Sequence, residues 1–138
     1  MQNPSAFGDA TVKSSTGLDA NIAALLAYLL GLLGGLIFFF IEKNSRFVKF
    51  HAMQSILFNV VVGVVAIVLT IVVTILTLVI SSISSSLGFI VSMLSLVFWL
   101  GFGLVIIITA ILLLIKAFQG QMFKLPIIGN MAEKFASK

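Results

Sequence analysis

Three hydrophobic runs, residues 21–41, 56–80 and 87–115, fill most of a 138-residue chain, and the second and third hold no charged side chain. A water-soluble domain of this size has no interior large enough to hide that much apolar surface, so the sequence requires lipid as its solvent. With 61% hydrophobic and 9% charged residues, the composition lies outside that of soluble globular proteins. The β-branched stretch 60–65 would favour a strand in water. A spanning strand, however, alternates over roughly 10 residues, whereas this stretch is continuously apolar. Helices satisfy their own backbone groups in lipid, so the expected fold is an all-α polytopic membrane protein.

The net charge of +4 does not point to nucleic acid, because the basic residues sit beside the ends of the hydrophobic runs, where they orient a chain in a membrane. The absence of cysteine excludes thiolate catalysis, disulfides, cysteine-ligated zinc and S-palmitoylation. Residues 1–18 are polar, rich in Ser, Thr and Gly, and lack the basic start and apolar core of a secretory signal. They read as a short disordered tail ahead of one membrane domain, residues 19–138.

Three spans are expected, at about residues 21–41, 54–80 and 87–115, followed by a tail from 116 to 138. The first follows Asp19, a good N-cap, and at 1.5 Å per residue reaches roughly 31 Å, the thickness of the hydrocarbon core. Ala27, Gly31 and Gly35 recur at every fourth residue, a small-residue groove for close helix packing within the molecule or between copies. The second run exceeds a perpendicular span and must tilt or bend. Residues 81–86, five serines around Ile83, read as a turn, and Gly101 and Gly103 permit a kink or a close contact in the third run. Lys43, Arg46 and Lys49 follow the first span and Lys116, Lys124, Lys134 and Lys138 the third, while the N-terminal tail has Lys13 opposed by Asp9 and Asp19. The positive-inside rule then sets the linker and C-terminus in the cytoplasm, with the N-terminus and the serine turn outside.

Between the first two spans, Phe47, Phe50 and Gln54 fall at helical spacing, as do His51 and Ser55, with Lys43, Arg46 and Lys49 on another side. This pattern predicts an interfacial amphipathic linker whose phenylalanines enter the acyl boundary while its cations meet anionic headgroups. The first run ends in Phe-Ile-Glu-Lys, with Glu42 and Lys43, and Arg46-Phe47-Val48, His51-Ala52 and Gln54 follow. After the last run, Lys116-Ala117-Phe118-Gln119-Gly120 leads to Lys124-Leu125-Pro126 and Ile128-Gly129. These two blocks resemble the Tic-twenty-like family of small membrane proteins. That family takes in the chloroplast inner-envelope import component, bacterial homologues long filed as a domain of unknown function, and MamF-like magnetosome-associated proteins. The chain is closer to the short bacterial three-span members, and the resemblance implies a non-enzymatic protein of a prokaryotic cytoplasmic membrane. The implied roles run from channel or translocon subunit to organiser of membrane protein assemblies.

His51, Ser55 and Asn59 continue at intervals of four, a polar stripe that either lines a hydrated path or bonds across helices. His51 is the sole histidine, with no intramembrane carboxylate to share a proton or complete a metal site, so an anchoring role through Gln54, Ser55 or a helix end is expected. Glu42 and Glu133 stand beside lysines and read as local charge balance. Asn130 followed by Glu133 marks the start of a short amphipathic C-terminal helix, with Pro126 and Gly129 interrupting the chain before it. No acid/base pair, metal cluster, partnered nucleophile or phosphate loop is present, and no cofactor is expected. The sequence therefore supports a membrane scaffold that self-associates or gathers partners, with an oligomeric channel, translocon or transporter component as the alternative.

Overall fold

In the computed structural model of the protein, residues 10–137 are described, and positions 1–9 of the expected tail lie outside them. Five helices follow in order among the described residues: α1 (Ala20–Leu29), α2 (Gly31–Ile41), α3 (Arg46–Ile83), α4 (Ser85–Phe118) and α5 (Ile128–Ala136). The chain divides into two compact units, residues 61–109 and residues 1–60 with 110–138.

The unit 61–109 consists of the distal part of α3, the proximal part of α4 and the turn between them. Both helices are long and apolar enough to cross a membrane, at 38 and 34 residues, and their most apolar windows are 0% and 6% buried within the protein. Side chains such as Ile67, Leu78, Leu94 and Val97 stand exposed along them. Continuous apolar surface of that extent suits a lipid environment. The segment from 61 to 83 measures about 34 Å at helical rise, close to the roughly 30 Å of hydrocarbon. The serine stretch 81–86 is not a loop: Ser84 alone separates α3 from α4. Ser84 Oγ accepts the Leu87 N–H at 3.4 Å, capping α4, and a Cβ on Gly88 would stand 2.9 Å from Ser81 Cα. A glycine at that position lets the chain reverse over one residue. Gly101 and Gly103 do not interrupt α4, and nothing lies within 4 Å of their Cβ positions.

In the other unit the first hydrophobic run departs from the expected single span. Gly31 adopts φ +62°, a backbone region costly for side chains with a Cβ, and α1 ends there. A Cβ on Gly34 would lie 2.8 Å from the Leu26 carbonyl and 3.0 Å from that of Ala27. A straight helix would hold those residues about 10–12 Å apart, so α2 folds back along α1. With 10 and 11 residues, the two helices are each only about half the hydrocarbon thickness in length. Their outer ends meet, because the Ser15 N–H donates to Glu42 Oε1 at 3.0 Å and the Lys43 N–H to Ser15 Oγ at 2.7 Å.

Two expectations fall with that hairpin. Long apolar helices number two among the described residues, not three. The N-terminal segment also stands with the linker and the stretch after α4, where opposite faces were expected: Asn21 Nδ2 donates to the Phe118 carbonyl at 3.1 Å, and a Cβ on Gly120 would lie 3.1 Å from that of Ala10. Charge counting could not detect this, since Lys13 is offset by its pairing with Asp19 at 3.9 Å. Residues 10–18 are likewise not a free tail. Ser14 is 3% exposed and bonded to Glu42.

The linker is shorter than expected, residues 42–45, because α3 begins at Arg46 and absorbs the amphipathic segment into its first turns. Ser45 Oγ accepts the Val48 N–H at 3.3 Å and so caps α3. Phe47 and Phe50 do not enter the acyl boundary. Both are fully buried, Phe47 with Ala20, Ala24, Ala27 and Ala117, and Phe50 with Met53, Ala132 and Ala136 of α5.

Candidate functional site

The buried polar centre of this unit is His51, 0% exposed in the second turn of α3. Its Nε2 lies 3.1 Å from the carbonyl oxygen of Gln121 and its Nδ1 lies 2.9 Å from Tyr28 Oη. A carbonyl only accepts, so Nε2 carries the proton, and Nδ1 accepts from the tyrosine hydroxyl. Gln54 Nε2 completes the chain by donating to Tyr28 Oη and to the Phe123 carbonyl, both at 2.9 Å. Gln54 Oε1 accepts the Leu125 N–H at 3.1 Å. Phe47, Phe50 and Tyr28 meet the imidazole edge-on, with centroids at 4.5, 5.0 and 5.5 Å. The arrangement leaves His51 no lone pair for a metal. Its chemistry is structural: one turn of α3 fastens α1 and the extended stretch after α4.

Ser55 and Asn59, the rest of the expected stripe, are also engaged. Ser55 Oγ is 2.9 Å from the Ala27 carbonyl and 3.3 Å from that of Gly31, so it satisfies carbonyls at the break between α1 and α2. Backbone groups freed at a helix break in an apolar setting need such a partner. Asn59 Nδ2 donates to the Ser55 carbonyl at 2.8 Å. Beside it lies a small cavity of about 80 Å³ lined mainly by Tyr28, Phe58, Ala110, Leu113 and Leu114. Ala27, Gly31 and Gly35 do not form one helix face, because Gly31 is the break. Gly35 instead packs on α3, where its Cβ would meet Ala52 O at 2.9 Å and Ile56 Cγ1 at 2.8 Å.

Glu42 forms the second polar centre, 2% exposed. Its Oε1 accepts from the N–H groups of Ser15, Asn44 and Ser45 at 2.9–3.0 Å and from Ser15 Oγ at 2.9 Å, while Oε2 accepts from Ser14 Oγ. The expected balance by a neighbouring lysine is replaced by hydroxyls and backbone amides. Burial pushes this carboxyl up, but the bonds from Ser14, Ser45 and Ser15 outweigh it and hold it below the ordinary range. Glu133 does pair, with Lys124, and this fixes α5, which starts at Ile128 rather than at Asn130. Pro126 belongs to the turn before α5, its carbonyl accepting the Ile128 N–H at 2.7 Å. Gly129 has no room for a side chain, since a Cβ would stand 2.7 Å from Lys124 Cα and 3.0 Å from Gln54 Oε1. Lys43 and Arg46 are exposed, and Lys49 lies over the Phe39 ring at 5.3 Å.

The structure thus joins His51 and Gln54 through Tyr28, packs Gly129 against Gln54, and groups Glu42 with the N-terminal serines. Tyr28, Ser14, Ser15 and Gln121 were missed in the sequence. Tyr28 carried a signal, as the chain's single tyrosine inside an apolar run, where its hydroxyl needs a partner. The serines carried none, because they looked like solvated tail.

Two long lipid-facing helices and a compact unit locked by buried polar bonds define a helical membrane protein. The magnetosome magnetite crystal formation protein family, MamF/MmsF, matches residues 15–132, and the chain belongs to it. A UPF0132 membrane protein of Methanocaldococcus jannaschii is 35% identical over 124 residues, 90% of this chain and 94% of that protein. A second from the same organism is 33% identical over 122 residues, covering 86% and 71%. One from Archaeoglobus fulgidus is 36% identical over 117 residues, covering 85% and 95%. No solved structure matches.

Proposed function

We propose that the protein is a non-enzymatic membrane scaffold, anchored by the apolar parts of α3 and α4, which self-associates or gathers partner proteins at a prokaryotic cytoplasmic membrane. One observation carries this reading. Of the polar side chains that could have lined a path or served a reaction, His51, Gln54, Ser55 and Glu42 are spent on holding segments of the same chain together, and Asn59 bonds back to the Ser55 carbonyl of its own helix. The distinctive chemistry left at the surface is cationic. All eight lysines and arginines fall outside residues 61–109, and the positive-inside rule sets the unit that bears them, with both ends of the chain, in the cytoplasm. Magnetite crystal formation, for which the family is named, fits a protein that works at a membrane surface. The wider kinship with Tic-twenty-like translocon components is supported by the two sequence blocks alone, and a conducting role loses its polar lining to the bonds just named. Crosslinking of the full chain in native membranes, read by mass spectrometry, is expected to recover oligomers or a recurrent partner. Exclusively monomeric, partner-free protein would overturn the scaffold reading.

A further inference from the structure

Asn59 is the member of the polar stripe whose hydrogen-bonding capacity the fold leaves half used. Its Nδ2 donates to the Ser55 carbonyl at 2.8 Å, four residues back on α3, and since a carbonyl only accepts, that bond sets which end of the amide is oxygen. Oδ1 meets no donor among the described residues, where every buried side-chain polar atom has a partner. The oxygen is therefore not sealed inside the protein. Asn59 stands on the wall of the cavity of about 80 Å³, with Tyr28, Phe58, Ala110, Leu113 and Leu114. None of these can answer the amide: four are hydrocarbon, and the Tyr28 hydroxyl already donates to His51 Nδ1 and accepts from Gln54. Gly31 presents no side chain, and even a Cβ there would lie 3.9 Å from Oδ1. An amide oxygen left without a donor in apolar surroundings is costly, and a hydroxyl relieves it. The volume exceeds the roughly 10–15 Å³ that one water occupies, but a water needs two or more polar partners and only Asn59 is free to supply any.

We propose that this cavity is a binding site for an aliphatic alcohol, a hydrocarbon chain ending in one hydroxyl. The hydroxyl donates to Asn59 Oδ1, and the chain lies against Phe58, Leu113 and Leu114. A mostly apolar pocket with a single polar group that fixes orientation is the usual form of such a site. Two sources offer that chemistry, the free hydroxyl of a lipid such as a diacylglycerol and a small alcohol dissolved in the membrane. All the lining residues belong to the unit formed by residues 1–60 and 110–138. The site does not depend on whether the protein assembles, so it stands or falls separately from the scaffold reading.

The test follows the Asn59 side-chain amide of the full chain by NMR in an amine-oxide detergent, which brings no hydroxyl of its own. Loss of the signal in Asn59→Leu assigns it. The probes are n-octanol and heptyl methyl ether, isomers of which only the alcohol can donate. Octanol is expected to shift the amide saturably, and the ether to bind about fivefold more weakly, the worth of one neutral hydrogen bond. Filling the cavity by Ala110→Leu or by Leu114→Phe should remove the saturable response while leaving Asn59 in place. Gly103→Ala, with nothing within 4 Å, should leave it unchanged. Thermal unfolding without probe shows which filling variants remain folded. Displacement of octanol by dioctanoylglycerol assigns a lipid ligand, and failure to displace it assigns a small alcohol, either outcome supporting the site. An equal response to the ether, no saturable response to octanol, or an undiminished one in a folded filling variant would overturn it.

Discussion

The Glu42 carboxylate accepts the Ser15 backbone N–H at 3.0 Å, which brings together the residue after α2 and a residue before α1. Twenty-seven positions separate them, and an apolar run long enough to span a bilayer lies between. A run whose two ends touch is folded back on itself and is not one straight rod.

That contact makes a measurable prediction about the sidedness of the chain. Cysteines introduced singly at Lys13 and Ser137 should react with an impermeant maleimide from the same face of oriented vesicles, and one at Ser84 from the opposite face. The chain has no native cysteine to confuse the labelling. Labelling of positions 13 and 137 from opposite faces would restore three crossings.

Replacing the carboxylate should loosen the hairpin. Glu42→Gln sets an amide NH₂ against donors that now meet an oxygen, and the loss is expected at about 2–3 kcal/mol, as for a buried charged acceptor. Thermal unfolding in a neutral detergent measures it. No change would mean that the serine contacts contribute nothing to the fold.

The same group predicts an acid limb. Its carboxyl is held below the ordinary range in the folded protein, so the unfolded chain takes up the proton first. The stabilisation is complete above the unfolded value, about 4.3, and is lost as pH falls through the lower folded value. Wild-type stability should therefore decline with acid below that point, and the decline should flatten in Glu42→Gln. Parallel pH profiles for the two proteins would contradict the assignment.

Gln54 holds the stretch after α4 through the Phe123 carbonyl and the Leu125 N–H. Gln54→Ala leaves both unpaired, at a cost of about 1–3 kcal/mol. Hydrogen exchange should show the Leu125 amide losing protection while amides in the middle of α4 keep theirs. Unchanged protection at Leu125 would remove Gln54 from this role.

Glycines separate by environment. Gly35→Ala drives a Cβ to 2.9 Å from the Ala52 carbonyl and 2.8 Å from Ile56 Cγ1, and is expected to cost about 1–3 kcal/mol. Gly103→Ala meets nothing within 4 Å and should be neutral or gain up to about 1 kcal/mol of helix propensity. Reversal of that order, measured by thermal unfolding, would show that α1, α2 and α3 are packed differently.

The sequence alone determined the solvent. Uncharged runs such as 87–115 leave a chain this short no alternative to helices in lipid, since burial and backbone satisfaction are local demands written in composition and length. It also marked Glu42, Lys43, Arg46, Phe47, His51, Gln54, Pro126 and Gly129 as motif positions, though without saying what they touch. The tertiary structure decided what depends on partners distant in sequence. Gly31 could have continued a helix and instead breaks it, because the Ser55 hydroxyl donates to the Ala27 carbonyl at the break and Gly35 lets α3 approach. Ser14 and Ser15 read as solvated tail until Glu42 gathers them. A polar side chain's meaning lies in the atom that answers it, and for Tyr28, His51 and Glu42 that atom lies 23 or more residues away.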